Sequence, residues 1–400
     1  MPPPSDTTRQ ATAIHCGAAA STRPELDGAI REATLAAVSQ LAGRRPNLSV
    51  VFVSAAYGEA IRPTLENLSD LIDTDCLIAA TAEGVLANNK EYESDPAVTV
   101  WMASLPGATI TPLALEHVQT PDGGTFLGWP NELDWPMNAG LLLVADPFSF
   151  PVDDLIRRLA EDRPGLPIIG GMASGGSRPG SNTLVVNRQT YDAGAVGVII
   201  GGNVRIRPVV SQGCRPIGQP FVVTRAEDNM LFELGGEPAF ARLQQLYGTL
   251  DDQDRQLVRS SLHVGRVASE YQDRFERGDF LVRNVVGADP ETGVVAVGDC
   301  IRTGQTVQFH VRDATTAHDD LVELLRRNAG PTTAGGLVFT CNGRGSRMFK
   351  TASHDARCLQ DILGPLPVAG FFAQGEIGPI GQKNCLHGFT ASIALFEPAG

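Results

Sequence analysis

The sequence predicts an α/β protein of two related lobes, in which mixed β-sheets are covered by helices, with a layered αββα stack as one arrangement. Two observations lead to this fold class. A strand–helix–strand–strand pattern recurs three times, and a run of alternating apolar and polar residues separates the second copy from the third. Hydrophobic residues make up 42% and charged residues 19% of the 400-residue chain, as in a globular rather than a disordered protein.

The repeated unit spans residues 49–105, 140–202 and 336–396. Each copy starts with a strand of buried type, continues into a helical stretch, returns through a strand rich in small residues and ends on a second apolar strand. The interval from the first strand to the return strand is 26, 27 and 30 residues in the three copies. Because a crossover helix makes the strands it joins parallel, we expect only the last strand of each unit to run antiparallel.

A further helix is predicted before the first repeat, over about residues 22–43. Thr22 and Glu25 have the spacing of a capping box, and the apolar residues that follow recur at helical intervals. Gly43 marks the end, because glycine readily adopts the left-handed backbone that closes a helix. In the third repeat, Ser353 is predicted to cap a shorter helix.

The segment between the second and third repeats has a different pattern of residues. Residues 279–313 alternate apolar and polar side chains around the turn sequences DPETG and RTG, which predicts a three-stranded meander. The repeat pattern is interrupted near residues 215–235, without a low-complexity linker. We therefore divide the sequence into an N-terminal domain, 1–225, with the leading helix and two repeats, and a C-terminal domain, 226–400, with the meander and the third repeat.

Charge and cysteine content argue against several classes of function. The formal charge is −13 and no run of lysine or arginine occurs, so binding to nucleic acid or to an anionic membrane surface is not expected. No apolar run is long enough for membrane insertion, and the N-terminus lacks the pattern of a secretory signal. Seven scattered cysteines without a C-x-x-C pair predict neither disulfides nor a zinc finger, and fit a reducing cytoplasm.

Six motifs follow one another along the chain: GGMASGG, SQGCRPIGQPFVVTRA, GDFLVRNVVG, GQTVQFHVRDA, CNGRG and GFFAQGEIGPI. In this order they resemble the FIST domain, a module named for F-box and intracellular signal transduction proteins. The resemblance extends from about residue 30 to the C-terminus and covers both the FIST N-terminal and the FIST C-terminal parts. A single motif of this kind is a common glycine-rich turn, whereas six in order are specific.

The resemblance implies a sensory role in signal transduction. Bacterial FIST modules are regarded as input domains for a small ligand, with amino acids or related metabolites as the proposed class. Such modules often lie beside a signalling output domain, and no such domain lies outside the matched region here. The resemblance therefore implies that the chain acts alone, through a protein partner or as a homo-oligomer. It carries over no catalytic residue and no cofactor.

The third repeat holds the two charges that an amino acid requires. Arg344 lies in the turn CNGRG, where glycines allow close approach of the backbone and a guanidinium can bind a carboxylate through two hydrogen bonds. Glu376 lies in the return turn QGEIGP and has the charge to bind an ammonium group. The alternative is a structural ion pair between the two. The candidate ligand-binding residues are Cys341, Asn342, Arg344, Gly345, Phe371, Gly375, Glu376 and His387. For Phe371, core packing is the alternative.

Two other functions stay open at the level of sequence. Cys341 ends a buried strand and His387 begins another of the same repeat, so a cysteine-dependent hydrolase or transferase would use this pair. A protein-interaction scaffold would use the same residues for packing alone. No metal site is expected, because the seven histidines lie apart and H-E-x-x-H is absent. The glycine-rich segment 170–180 lacks the G-K-[S/T] ending of a phosphate-binding loop.

Overall fold

The computed structural model describes residues 13–121, 123–271, 274–328, 330 and 332–399. The strands are β1 (His15–Ser21), β2 (Leu48–Ser54), β3 (Leu77–Ala82), β4 (Val85–Ala87), β5 (Lys90–Tyr92), β6 (Val98–Ser104), β7 (Ala108–Thr120), β8 (Gly123–Leu127), β9 (Gly140–Ala145), β10 (Ile168–Met172), β11 (Leu184–Val186), β12 (Gln189–Tyr191), β13 (Ala195–Gly202), β14 (Val204–Gln212), β15 (Cys214–Glu227), β16 (Met230–Leu234), β17 (Glu237–Pro238), β18 (Leu262–Val267), β19 (Phe280–Asp289), β20 (Val294–Val297), β21 (Thr306–Arg312), β22 (Gly335–Cys341), β23 (Val368–Ala373), β24 (Glu376–Ile380), β25 (Lys383–His387) and β26 (Thr390–Pro398).

The α-helices are α1 (Leu26–Val38), α2 (Ile61–Glu66), α3 (Val152–Asp162), α4 (Ala239–Thr249), α5 (Asp252–Ser261), α6 (Ala314–Asn328) and α7 (His354–Leu363). Short 3₁₀ helices occupy Ser39–Leu41, Ala55–Ala60, Leu68–Asp70, Arg277–Asp279 and Gly345–Arg347. In the part of the chain that the structure describes, no helix has both the length and the apolar character needed to cross a bilayer.

The predicted α/β class and the threefold repeat are confirmed. In each repeat the first strand pairs in parallel with the return strand, and the last strand pairs antiparallel with the first. The three sets are β2, β3 and β6; then β9, β10 and β13; then β22, β23 and β26. A helix lies between the first strand and the return strand of every set, namely α2, α3 and α7. This crossover is what makes the two strands parallel.

Each repeat also carries a short hairpin, and that hairpin completes the sheet of another repeat. Strands β4 and β5 of the first repeat extend the sheet of the third by pairing with β23. Strands β11 and β12 of the second repeat add to β3 of the first, and β24 and β25 of the third add to β10 of the second. The three exchanges form a closed cycle. Every return strand therefore has its free edge covered by a strand from a different repeat.

The three sheets share one apolar core, because their central strands are apolar on both faces. On β2, Phe52 points into the shared core, while Val51 and Val53 point to the opposite face and pack with α1. The Phe52 ring lies 6.2 Å from that of Phe339 and 4.8 Å from that of Phe371, measured between ring centroids. These two rings belong to the third repeat, so the core joins repeats that are far apart in sequence.

The chain forms two compact units. The first unit contains the three repeats except for His387–Phe389, and the second unit contains Ser211–Leu321 together with His387–Phe389. The predicted domains 1–225 and 226–400 are linear segments. The compact units are not linear, because the second unit is inserted between the second and third repeats and the third repeat returns to the first unit.

The second unit is an antiparallel barrel. Its strand order is β15, β21, β18, β19, β20, β16 and β17, and an additional pairing of β15 with β16 closes the ring. The meander predicted over 279–313 is wrong in its pairing: its three strands exist as β19, β20 and β21, but only β19 and β20 are neighbours. Strand β21 pairs with β15 and β18 instead. Alternation of apolar residues identifies strands, whereas closure of the barrel decides their partners.

The leading helix is shorter than the predicted span of 22–43. Helix α1 runs only from Leu26 to Val38, and a 3₁₀ turn continues to Leu41. The predicted capping box is absent, because the N-cap residue is Glu25 and no side chain makes a capping hydrogen bond there. The capping pattern therefore placed the start of the helix too early.

A glycine on the return strand of the third repeat is required by the close approach of the neighbouring strand. A Cβ atom on Gly370 would collide with the carbonyl group of Val338, so Gly370→Ala must push β23 away from β22. We expect the free energy of unfolding to fall by about 1–3 kcal/mol, measured by urea denaturation. At the control position Gly248, in α4, nothing lies within 4 Å of an added Cβ. Gly248→Ala should raise stability by about 0.5–1 kcal/mol. An unchanged midpoint for Gly370→Ala would contradict the tight pairing.

Candidate functional site

The predicted ligand-binding residues lie mainly at the strand ends of the third repeat. Cys341 is the last residue of β22, and residues 342–345 form the turn that follows. Gly375 lies in the turn after β23, and Glu376 begins β24. His387 is different, because it belongs to the second compact unit, whereas the other residues belong to the first.

Arg344 is completely buried and has an internal partner. Its Nε donates to Oδ2 of Asp355 at 2.7 Å, and its Nη2 donates to Oδ1 of the same carboxylate at 2.8 Å. This is the two-bond geometry that the sequence led us to expect for a ligand carboxylate. The third nitrogen of the guanidinium, Nη1, is buried and has no hydrogen-bond partner among the described residues.

Asp355 lies in the first turn of α7 and connects several groups. Besides Arg344, its carboxylate accepts a hydrogen bond from Oγ1 of Thr340 at 2.7 Å and lies 2.8 Å from Nδ1 of His354. Burial raises the pKa of Asp355, but the charge of Arg344 and the hydrogen bonds from His354 and Arg344 outweigh it and hold the pKa well below its usual value. Asp355 is therefore the charged partner that keeps Arg344 in the interior.

Glu376 is also completely buried, and among the described residues its hydrogen-bond partner is the neutral Thr390 rather than a cation. Its Oε2 accepts hydrogen bonds from the backbone N–H and from Oγ1 of Thr390, at 2.9 and 2.8 Å, whereas its Oε1 has no partner among the described residues. Burial raises the pKa of Glu376 to about 8, against the lowering effect of the Thr390 hydrogen bonds, of the nearby Cys341 thiol and of the Arg344 charge. The carboxyl group is therefore mostly protonated at neutral pH.

Glu91 brings a carboxyl group from the first repeat to the same region. It lies on β5, and its Oε1 accepts a hydrogen bond from the N–H of Ala356 at 3.0 Å, so it caps the start of α7. The predicted cap, Ser353, makes no capping bond; its hydroxyl accepts from the N–H of Glu91 at 3.1 Å. Burial and the charge of Asp355 raise the pKa of Glu91 to about 7.

The turn after β22 depends on Gly345, whose φ is +57°. A Cβ atom there would lie 2.7 Å from Oε2 of Glu93 and 2.8 Å from Cε1 of Phe372, so a larger residue does not fit. The next residue, Ser346, donates its N–H to both carboxylate oxygens of Glu93 at 3.0 Å. A carboxylate of the first repeat thus fixes the turn of the third.

Two further candidates are buried. The thiol of Cys341 accepts a hydrogen bond from the N–H of Gly343, with 3.4 Å between nitrogen and Sγ. Phe371 is fully buried, and its ring packs between those of Phe52 and Phe339 in the shared core. Phe371 therefore has the core position that the sequence offered as the alternative to a pocket.

The corresponding strand ends of the other repeats carry different groups. Asp146 follows β9 and is completely buried; its carboxylate accepts hydrogen bonds from Nδ2 of Asn182 at 2.8 Å and from Oγ of Ser149 at 2.6 Å. Ser54 ends β2, and its hydroxyl accepts from the N–H of Ala56 at 3.2 Å. These side chains have neutral partners, so the charged cluster around Arg344 is a feature of the third repeat.

Asp355 and Glu91 were not among the site residues predicted from the sequence. Asp355 stands at a predicted helix start, where an acidic residue is expected in any case, so its position gave no sign of a guanidinium partner. Glu91 comes from another repeat, through the hairpin exchange. Together the cluster holds the Arg344–Asp355 ion pair, two carboxyl groups of raised pKa, and a donor on Arg344 and an acceptor on Glu376 that have no partner within the described part of the chain. Such a set can bind one carboxylate and one ammonium group.

The buried Arg344–Asp355 pair should be far more important for stability than an exposed pair on the same turn. Asp355→Ala leaves the guanidinium buried without its counter-charge, so we expect the free energy of unfolding to fall by about 3–5 kcal/mol. Glu83→Ala removes the exposed partner of Arg347, and should cost less than about 1 kcal/mol. Chemical denaturation of both variants tests this, and equal costs would contradict the assigned role of Asp355.

Glu376 should make stability depend on pH. Because its folded pKa, about 8, lies above the ordinary value of 4.5, its contribution to stability is complete below pH 4.5 and is lost as the pH rises through 8. Glu376→Gln cannot lose stability in this way. Its free energy of unfolding should therefore rise relative to that of the wild type between pH 5 and pH 8, by at most about 1.4 kcal/mol per pH unit. Glu83→Gln serves as the exposed control. If the free energies of unfolding of wild type and Glu376→Gln change with pH in parallel, the pKa of Glu376 is not raised.

Comparison with known proteins agrees with the motif resemblance. Residues 47–237 match the family model of the FIST N domain, and residues 239–379 match that of the FIST C domain. An uncharacterized protein of Mycobacterium tuberculosis is 42% identical over 387 residues, which cover 96% of this chain and 100% of the relative. A second uncharacterized protein, of Mycobacterium bovis, is 41% identical over 386 residues, covering 96% and 99%. The chain therefore belongs to the FIST family, whose domains generally serve in sensing and signal transduction.

Proposed function

We propose that this protein is a noncatalytic sensor that binds an amino acid or a related carboxylate metabolite at Arg344 and Glu376. One observation carries the proposal: Nη1 of Arg344 and Oε1 of Glu376 are buried without a hydrogen-bond partner among the described residues. Leaving a buried polar atom unpaired costs about 1–3 kcal/mol. A ligand that supplies both partners removes this cost, and an α-amino acid supplies a carboxylate for the guanidinium and an ammonium for the carboxyl group.

Entry of a ligand requires the turn that carries Arg344 to open, because Arg344 and Glu376 are completely buried. The outer contact of this turn is the ion pair between Arg347 and Glu83, whose side chains are 55% and 37% exposed. Exposed ion pairs contribute about 1 kcal/mol or less, so this contact resists opening only weakly. Gly345, at the centre of the turn, supplies the backbone freedom that opening needs.

In this proposal the neighbouring strand ends complete the binding site. Cys341, Asn342, Gly345 and Gly375 surround the ligand head group. The side chain of Arg347 donates to the carbonyl oxygen of Asn342 at 2.7 Å, so a ligand that shifts the turn also shifts an exposed arginine. We propose that a protein signalling partner recognises the altered position of this arginine. We place the protein in the cytoplasm, since its seven cysteines are all unbridged.

A cysteine-dependent hydrolase or transferase is the second candidate, favoured by one observation. The N–H of Gly343 donates to Sγ of Cys341 at 3.4 Å, and a donor of this kind stabilises a thiolate. Cys341 is buried, however, and a nucleophile must meet its substrate. Iodoacetamide labelling of Cys341 at neutral pH separates the two functions, because a catalytic thiol reacts faster than a free cysteine and a structural one reacts more slowly.

A thermal-shift screen against the twenty amino acids and common carboxylate metabolites tests the sensor. A ligand at a hundred times its dissociation constant raises the free energy of unfolding by about 2.7 kcal/mol. We expect one class of amino acid to stabilise the wild type. Because its ammonium group favours the ionised form of Glu376, the affinity should rise as the pH increases towards 8.

Glu376→Gln is the decisive variant, since it keeps the size of the side chain and an acceptor for Thr390 but cannot ionise to pair with an ammonium group. It should abolish the ligand-induced shift without lowering the midpoint of the free protein. Glu66→Gln, which removes an exposed partner of Arg62 on α2, should leave binding unchanged. Arg344→Ala is less informative, because it leaves Asp355 buried without its partner. A ligand that stabilises Glu376→Gln as strongly as the wild type would refute this site.

A further inference from the structure

The geometry points to a second ligand site in the first unit, apart from the residues around Arg344. A cleft of about 580 Å³ lies between the hairpin β7–β8, the segment 128–135 and helix α3. We propose that this cleft binds a planar aromatic anion, that is, an aromatic ring that carries a carboxylate. Its volume falls within the range of about 300–1,000 Å³ that is usual for small-molecule sites.

Aromatic side chains form one wall of the cleft. Trp129 and Trp135 are half-buried, with ring centroids 6.3 Å apart and ring planes inclined at 44°. Phe126 continues the wall, and its ring centroid lies 5.2 Å from that of His117. Half-buried indole rings expose an apolar face with a fixed orientation, so they favour a ligand that is flat and aromatic.

Arginines form the opposite side of the cleft, and they differ in whether a carboxylate of the same segment pairs with them. Arg157 pairs with Asp154 and Arg158 with Asp162 along α3. Arg163 directly follows the helix; its guanidinium carbon lies 5.2 Å from the centroid of the Trp135 ring, and its side chain makes no hydrogen bond within the described residues. It therefore keeps the paired donors that bind a carboxylate, next to an aromatic surface.

The charge of the cleft differs from that of the chain. Its lining includes three arginines and two aspartates, whereas the whole chain carries a formal charge of −13. A local excess of positive charge on an acidic protein favours an anionic ligand. A neutral aromatic ligand would form no ion pair with Arg163, and an aliphatic anion would make little stacking contact with the two tryptophans.

The cleft is also held in shape by the structure beneath it. Leu155 and Leu159 of α3 belong to the apolar cluster on the outer face of β9, and Trp129, Leu133 and Trp135 pack against that cluster. On the hairpin side the ring of His117 lies against the backbone of Gly124, where an added Cβ would be 2.3 Å from Nε2 of His117. A shaped cleft loses less conformational freedom on binding than a flexible surface does.

Isothermal titration calorimetry with 2-naphthoate tests the proposal, with 2-naphthamide as the uncharged analogue of the same shape. We expect saturable binding of 2-naphthoate by the full chain, and at least about tenfold weaker binding of the amide, as for loss of a hydrogen bond to a charged group. Arg163→Gln should weaken the binding of 2-naphthoate by a similar factor. Trp135→Leu should weaken the binding of both compounds. Thermal denaturation of each variant tests whether it is folded.

Two control variants locate the site. Arg188→Gln changes an exposed arginine that pairs with Asp70 elsewhere in the first unit, and should leave the affinity for 2-naphthoate unchanged. Glu376→Gln should also leave it unchanged, which separates this cleft from the proposed amino-acid site. No binding at millimolar 2-naphthoate, equal binding of the amide, or an unaltered affinity in Arg163→Gln would each overturn the proposal.

Discussion

The exchange of hairpins among the three repeats is the constraint on which the rest of the first unit depends. Each return strand would otherwise present an unpaired edge, and a free edge of a sheet invites association with other chains. Strands β4, β11 and β24 cover these edges in a closed cycle, so no repeat has a complete sheet without another. The aromatic contact of Phe52 with Phe339 and Phe371 adds a shared core to this mutual dependence.

The same exchange assembles the charged cluster. Glu91 and Glu93 reach the third repeat because the first repeat donates its hairpin to that sheet, and there they cap α7 and hold the turn after Gly345. Arg344 and Asp355 then balance one another in the interior, while burial keeps Glu376 mostly neutral. In this cluster the cost of removing charged groups from water opposes the favourable pairing of opposite charges. A ligand with two opposite charges changes both contributions.

The two proposed sites differ in how they are built. The Arg344 site is closed and lies at strand ends, where the glycine-containing turn is held inside by the buried Arg344–Asp355 pair and outside by the exposed Arg347–Glu83 pair, which contributes little. The cleft beside Trp129 and Trp135 is open and rests on the packed outer face of a sheet. Closed sites couple binding to movement, which suits a sensor, whereas an open cleft on a rigid base suits recognition without movement.

The sequence by itself determined the repeat, the parallel pairing within each copy, the family and the presence of ionisable side chains at Arg344 and Glu376. These follow from local patterns of apolar residues, from glycine-rich turns and from the order of motifs. Only the tertiary structure decided the hairpin exchange, the barrel in which β21 leaves its predicted neighbour, and the choice of Asp355 as the partner of Arg344. The reason is physical: periodicity fixes which face of an element is buried, whereas edge pairing, ring closure and charge compensation depend on residues distant in sequence.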